Sequence, residues 1–284
     1  MIDDAEILRS VRVEVAAGVG SYEQVVQALQ EQWETDEEIA ALVDREFARH
    51  LAAQEEWPED TDCDKLTAAF RDLDLAGITA REHFSCCRAC GVREIEEEGV
   101  RRGYVFYHFQ DLQRAAEGGG LLLSYTPDRR IGMEVVAALQ RHGLVALWNG
   151  NTQRRIEVPM AWLRRRHGRA AAHPGRMGEP AGELEVSYDG GPMESLTLRG
   201  CLDELMRMRP VAGNFMVFQA PSGVVFQVMW HEGPKLWGEW PDPSAKASRG
   251  RYLSLREARE MITILARDGR SGADDLGGTH LKPW

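Results

Sequence analysis

Apolar residues in the first 76 positions recur at helical spacing and predict a series of helices. Ser21 and Gln24 form a capping box before the second of these helices, because each side chain can satisfy the other residue's backbone amide. Gly77 stands where the last helix should end in a left-handed cap. The first helix has an apolar face formed by Ile7, Leu8, Val11 and Val15. Polar caps are predicted at Asp36 before the third helix and at Thr61 or Asp62 before the fourth.

The pattern changes to short apolar runs that alternate with helical segments after Gly103. This order, β-α-β-α-β-β, predicts a small mixed sheet covered by helices on at least one side. The predicted strands cover residues 104–108, 121–125, 144–148 and 155–158, and the helices begin at Asp111 and near Asp128.

A second set of strands follows a stretch rich in Gly, Pro and Ala that has no apolar period, residues 168–182, which we interpret as a linker. Strands are predicted at 184–188, 195–198, 215–219, 224–230 and 235–240, and helices at 202–208 and 254–266. The predicted class is α+β. It comprises a helical N-terminal segment over 1–76, a cysteine-containing α/β domain over 77–167, the linker, and an α+β domain with an antiparallel meander over 183–284.

Composition and charge narrow the classes of partner. The formal net charge of −11 opposes binding to phosphate backbones, so no nucleic-acid partner is predicted. The chain has no run of about 18 apolar residues and begins with acidic residues rather than an export signal, which predicts a cytoplasmic protein without a membrane partner. The basic run over 162–169 is interpreted as a solvated helix end.

Five cysteines in a reducing compartment are expected to be free, metal-bound or redox-active rather than paired in disulfides. Three of them, Cys86, Cys87 and Cys90, stand within five residues and directly precede Gly91. A Cys-x-x-Cys spacing can place two sulfurs on one soft metal, and zinc prefers four sulfur or nitrogen ligands. We therefore predict a zinc site at this cluster.

The remaining ligand of this site has several candidates. His83, Cys63 and His108 are all available, and His108 is included in the predicted site. Two further interpretations stay open: the thiols are reduced and buried without a ligand, or they carry redox or nucleophilic chemistry. The last of these requires a thiolate activated by a base or a helix N-terminus.

His108 and Asp111 follow a predicted strand and precede a helix, where open α/β sheets place ligand-binding groups. This position supports an alternative function, a thiol- or metal-dependent enzyme that uses the three cysteines together with His108. In the simpler interpretation, Asp111 caps its helix and His108 is hydrogen-bonded within the sheet.

The predicted meander contains three tryptophans, Trp230, Trp237 and Trp240, with Glu232 and Glu239 between them. Exposed tryptophans of this kind anchor protein partners, whereas buried ones form ordinary core, and strand alternation requires that some be buried. The predicted partner-binding residues are Trp237, Glu239 and Trp240, and a basic protein is the predicted partner.

Four segments together resemble a family of bacterial proteins of unknown function that is common in actinobacteria. They are residues 60–70, 84–91 with the cysteines, 103–111 with His108, and 117–121. This resemblance covers about residues 1–167 and implies no activity. The order of elements over residues 215–254 is weakly similar to that of immunity proteins of bacterial polymorphic-toxin systems, which bind and block a toxin.

These observations predict a non-enzymatic, cytosolic, immunity-like binding protein. A cysteine-ligated structural zinc would hold the front domain together, and the back domain would meet a protein partner.

Overall fold

The computed structural model describes residues 4–33, 37–175 and 182–283. The chain divides into two compact units, residues 1–177 and 178–284. The predicted cap at Asp36 and most of the second half of the predicted linker, residues 176–181, lie outside the described residues. Among the described residues, no helix combines the length and the apolar character that crossing a membrane requires.

The first unit begins with α1 (Asp4–Ala17), α2 (Tyr22–Trp33) and α3 (Glu37–Gln54), which enclose an apolar core of their own. Ser21 accepts from the Gln24 amide and donates its own amide to the Gln24 side chain, as the capping box predicts. Next comes α4 (Asp62–Leu75), whose N-cap Thr61 forms a capping box with Asp64.

The sheet of this unit has the order β1-β2-β3-β4, with β1 (Ile78–Arg81), β2 (Gly103–Phe106), β3 (Leu121–Tyr125) and β4 (Ile156–Val158). Only β1 and β2 are parallel among these neighbours. The intervening helices are α5 (Arg88–Glu97), α6 (Phe109–Ala116) and α7 (Arg129–Arg141). The main core includes apolar residues of α4, the sheet, α6 and α7, while a smaller cluster joins Ile95 of α5 to Tyr104 and Phe106 of β2.

Two predictions for this region are wrong. Residues 144–148 form no strand and make a single bridge, between Leu147 and Glu157, since Val145 and Leu147 face solvent instead of a core. The basic run is not a solvated helix end, because Arg164, Arg165 and Arg166 are all buried against backbone carbonyls and side-chain oxygens.

The start of the predicted linker packs on the first three helices. Residues 168–170 form a 3-10 turn, Ala171 is buried in the core of α1–α3, and the His173 ring stacks on Phe47 with ring centroids 5.7 Å apart.

The second unit contains a seven-stranded antiparallel sheet. From one edge to the other, its strands are β11 (His280–Pro283), β10 (Ala247–Leu253), β9 (Lys235–Asp242), β8 (Val225–His231), β7 (Phe215–Gln219), β5 (Leu184–Tyr188) and β6 (Glu194–Leu196). Its core lies between one face of the sheet and two helices, α8 (Leu198–Arg207) and α9 (Leu255–Asp268). A short helix, α10 (Ala273–Leu276), precedes β11.

The structure confirms the predicted α+β class, with a helical N-terminus, a small mixed sheet and an antiparallel sheet. Strands β10 and β11 are additions to the predicted meander.

Candidate functional site

The loop between β1 and α5 carries the cysteines and is fixed to the neighbouring connection between β2 and α6. The Phe84 amide donates to the Tyr107 carbonyl at 2.9 Å, and the Phe109 amide donates to the Ser85 carbonyl at 3.2 Å. His83 and Ser85 adopt left-handed backbone angles, with φ of 46° and 68°, which L-residues adopt at a cost. Because β1 and β2 are parallel, both connections leave the same edge of the sheet.

Cys86, Cys87 and Cys90, hereafter the thiol cluster, bring their sulfurs within 4.8 Å of one another. Cys87 is the N-cap of α5, so the first helical turn carries Cys90 back toward it. Cys86 is exposed, and the other two cysteines are half-buried. The described residues contain no second group of three His, Cys, Asp or Glu side chains with this geometry.

Gly91 lies inside α5, which begins at Arg88, and not in a turn before the helix. Its role is one of close packing: a Cβ at Gly91 would lie 2.5 Å from Cε2 of Phe106. The glycine therefore lets the first turn of α5, and with it the thiol cluster, approach β2.

The two cysteines of the Cys-x-x-Cys pair differ in acidity. The backbone amide of Cys90, followed by its thiol, holds the pKa of Cys87 below its ordinary value. Hydrogen bonds to Cys87 and then to Cys86 raise the pKa of Cys90 to about 11. In the metal-free site Cys87 is therefore the thiol that ionises before Cys90.

Cys63 and Cys201 are buried and do not belong to the thiol cluster. Burial raises the pKa of each thiol to about 12. The candidate ligands His83, Cys63 and His108 therefore all lie outside the group that the structure brings together.

His108 is the N-cap of α6 and is only 3% exposed. Its Nε2 lies 3.1 Å from Oδ2 of Asp111, and the Asp111 carboxylate also accepts the His108 backbone amide at 3.1 Å. Asp111 is therefore the third residue of α6, and its carboxylate accepts the backbone amide of the N-cap residue His108. The sequence had suggested that Asp111 itself is the N-cap. Burial lowers the pKa of His108, and Arg155 and Arg88 act in the same direction.

Arg155 is a member of this polar group that the sequence did not indicate. It donates from Nη2 to Asp111 and, at 2.6 Å, to the Leu122 carbonyl, and so joins the approach to β4 with β3 and α6. Within the described part of the chain, His108 Nδ1, Ser124 Oγ and Arg155 Nε are buried without a hydrogen-bond partner. A lone arginine before a strand gives no local signal for such a contact, since its partners are 33 and 44 residues away.

A family of proteins that carries no assigned function matches residues 3–166, which include the thiol cluster and the His108 group. This chain belongs to the DUF6891 family. The match confirms that a domain of unknown function covers the first part of the chain. No curated protein and no solved structure matches the chain.

The predicted partner-binding residues lie in the second unit, beyond the matched DUF6891 residues. Trp237 and Glu239 are half-buried on the sheet face opposite α8 and α9, and Trp237 Nε1 donates to Glu239 Oε2 at 3.0 Å. Trp240 points to the other face, where it is 4% exposed and stacks on Phe226 with ring centroids 4.8 Å apart. Strand alternation thus places Trp240 in the core, and it does not belong to the surface that Trp237 and Glu239 form.

Proposed function

We propose that the DUF6891 domain is a metal-binding domain in which Cys86, Cys87 and Cys90 hold a zinc ion. The observation that carries this proposal is the approach of three sulfurs to within 4.8 Å of one another. Sulfurs that share a tetrahedral zinc with Zn–S bonds of about 2.3 Å are about 3.8 Å apart. Small side-chain rotations would therefore bring all three onto one ion.

The geometry favours an accessible ion over a structural crosslink. All three ligands come from five consecutive residues, so an ion there would join no distant parts of the chain. Three protein ligands leave the fourth position of a tetrahedral zinc to water or another ligand, which is the arrangement of reactive rather than structural sites. The exposure of Cys86 supports access from solvent.

Local charge also suits a thiolate-bound ion. Three thiolates on one divalent zinc carry a net charge of −1, which the N-terminal end of α5 and Arg88 at its first position partly compensate. The acidic residues of α5 lie farther along the helix and act in the opposite direction, the nearest being Glu94, which accepts from Ser85 Oγ at 3.2 Å.

Metal analysis tests the proposal directly. The full chain, purified under reducing conditions and loaded with zinc, should retain about one equivalent after dialysis, and cobalt substitution should give thiolate-to-cobalt charge-transfer absorption. Cys87→Ser and Cys90→Ser should each lose the bound ion, whereas Cys201→Ala, which removes a buried thiol of the other unit, should keep it. Retention of less than about 0.1 equivalent by the unsubstituted chain, or equal loss in Cys201→Ala, would overturn the assignment.

A second candidate function is thiol chemistry at Cys87, supported by the lowered pKa of that thiol at a helix N-cap. Treating the metal-free chain with limiting iodoacetamide and mapping the modified peptides tests it. Cys87 should be alkylated before Cys90, and preferential alkylation of Cys90 would refute this candidate. A cytoplasmic location fits both candidates, because both need reduced thiols.

A further inference from the structure

The open face of the second unit's sheet presents two adjacent rows of side chains that differ in polarity. In one row, backbone pairing sets Phe215 opposite Met229, Met229 opposite Trp237, and Trp237 opposite Tyr252. This apolar row crosses β7, β8, β9 and β10. It gives one side of the face an aromatic and aliphatic surface.

The next row along the same strands is polar at its centre. Val217 pairs with Gln227, Gln227 with Glu239, and Glu239 with Gly250. Glu239 accepts from the Gln227 side-chain amide and, through its other oxygen, from Trp237 Nε1 at 3.0 Å. These two donors hold the carboxylate in place, and each carboxylate oxygen keeps a further acceptor site.

Gly250 explains how Trp237 reaches this carboxylate. A Cβ at Gly250 would lie 2.3 Å from Cζ2 of Trp237, so the indole lies over the glycine. Trp237 also stacks on His231 at an interplanar angle of 9° and meets Tyr252 edge-on with ring centroids 5.2 Å apart. The ring is therefore fixed by neighbours on β8 and β10.

A cavity of about 240 Å³ lies where the two rows meet. It is lined by Phe215, Gln227, Val228, Met229, Trp237 and Glu239, so Glu239 is its one ionisable lining residue. Sites for drug-sized ligands are larger, about 300–1,000 Å³. The volume thus suits a single long side chain.

We infer that this cavity binds an arginine side chain of a partner protein. An arginine combines an aliphatic stem, which matches the apolar row, with a planar cation that pairs with carboxylates and stacks on aromatic rings. The single fixed carboxylate beside an indole complements that head group in both charge and shape. The site lies outside the matched DUF6891 residues and does not depend on the proposed zinc.

Tripeptide probes with the full chain test the inference. The probes are acetyl-Gly-Arg-Gly-amide and the same peptide with citrulline, which keeps the shape of arginine but lacks its charge. With ¹⁵N-labelled tryptophan in the protein, the indole N–H signal of Trp237, assigned with Trp237→Phe, should shift on adding the arginine peptide and not on adding the citrulline peptide. An equal response to both peptides, or no response up to about 10 mM, ten times a millimolar dissociation constant, would overturn the inference.

Three variants separate the cavity from general electrostatics. Glu239→Gln keeps the shape of the side chain and should weaken arginine binding about tenfold, the effect of losing a charged hydrogen bond. Glu232→Gln removes the same charge from the exposed turn between β8 and β9 and should change nothing. Gly250→Ala should displace the indole and weaken binding without altering any charge. Equal weakening in the two Gln variants would contradict the proposed site, and binding that survives in Cys87→Ser would show its independence from the metal.

Discussion

Arg166 should be among the most important side chains for the stability of the first unit. It is 1% exposed, and its guanidinium carbon lies 4.4 Å from the centroid of the Phe47 ring. Its Nε and Nη2 donate to the Val15 carbonyl at 3.0 and 2.7 Å, and Nη2 also donates to the Glu14 carbonyl at 3.3 Å. The cation thus stands at the C-terminal end of α1, where unpaired carbonyls and the helix dipole favour positive charge.

The same guanidinium holds two further carbonyls outside the helix. Nη1 donates to Gly20 at 2.6 Å and to Ala170 at 2.9 Å. Arg166→Ala would remove the arginine's hydrogen bonds from four carbonyls, of which Val15 keeps the Gly18 amide as a donor. At about 1 kcal/mol for each of the other three, which are part-buried, the loss is about 3 kcal/mol. This is a large share of the roughly 5–15 kcal/mol that stabilises a typical domain.

Hydrogen exchange read by mass spectrometry measures this loss locally. In Arg166→Ala, amides of α1–α3 should lose protection by up to about a hundredfold, while amides of α9 should be unchanged. Arg169→Ala, which removes an exposed arginine three residues along the chain, should change protection by less than about threefold. If the two variants behave alike, Arg166 does not stabilise the helices in the way that its contacts indicate.

Four further predictions concern acid stability, thiols, packing and metal. Burial lowers the pKa of His50 to about 4, below its ordinary 6.5, so the unfolded state binds the extra proton. The free energy of unfolding should therefore fall by up to about 3 kcal/mol between pH 6.5 and pH 4, less so in His50→Gln, as measured by urea titration at several pH values. Ellman's reagent should modify the thiol cluster of the metal-free chain quickly but Cys63 and Cys201 only after denaturation, and fast reaction of either buried thiol would contradict their placement. Gly91→Ala should cost about 1–3 kcal/mol through its clash with Phe106 and weaken zinc binding without removing a sulfur, which calorimetry would show. Chelation should release zinc with little change in the melting temperature, whereas removal of a structural ion would lower the melting temperature as the metal is lost.

Sequence patterns predicted the features that depend on near neighbours. The capping box at Ser21 was predicted with both of its members, and Thr61 was one of two predicted caps of the fourth helix. Each of these residues binds a partner three residues away, so both members of the pair appear in one short segment. The thiol cluster was predictable for the same reason. The Cys-x-x-Cys spacing alone predicts that the sulfurs of Cys87 and Cys90 can approach one another.

Features that depend on distant partners were missed or misassigned. The run that contains Arg164 looks like a solvated helix end, but Arg164 donates to Thr67 Oγ1, which is 97 residues away, at 2.9 Å. Strand β10 carries arginines and a glycine that argue against a buried strand, yet Gly250 is required there because the Trp237 indole lies over it. Neither contact can be inferred from the spacing of apolar and polar residues along the chain.

The buried arginines also supply the crosslinks that the sequence led us to assign to zinc. Three consecutive residues outside regular secondary structure contact different parts of the first unit. Arg164 contacts α4 and the β1–α5 loop, Arg165 contacts the first turn of α4 and the residues before it, and Arg166 contacts the end of α1. Each guanidinium carries several donors in a fixed plane, so one side chain can tie several carbonyls that belong to different elements. An ion held by five consecutive residues can do nothing comparable for the fold. The zinc ion proposed at the thiol cluster would therefore add no crosslink between distant elements, and a site of that kind can exchange its ion or its fourth ligand without unfolding the protein.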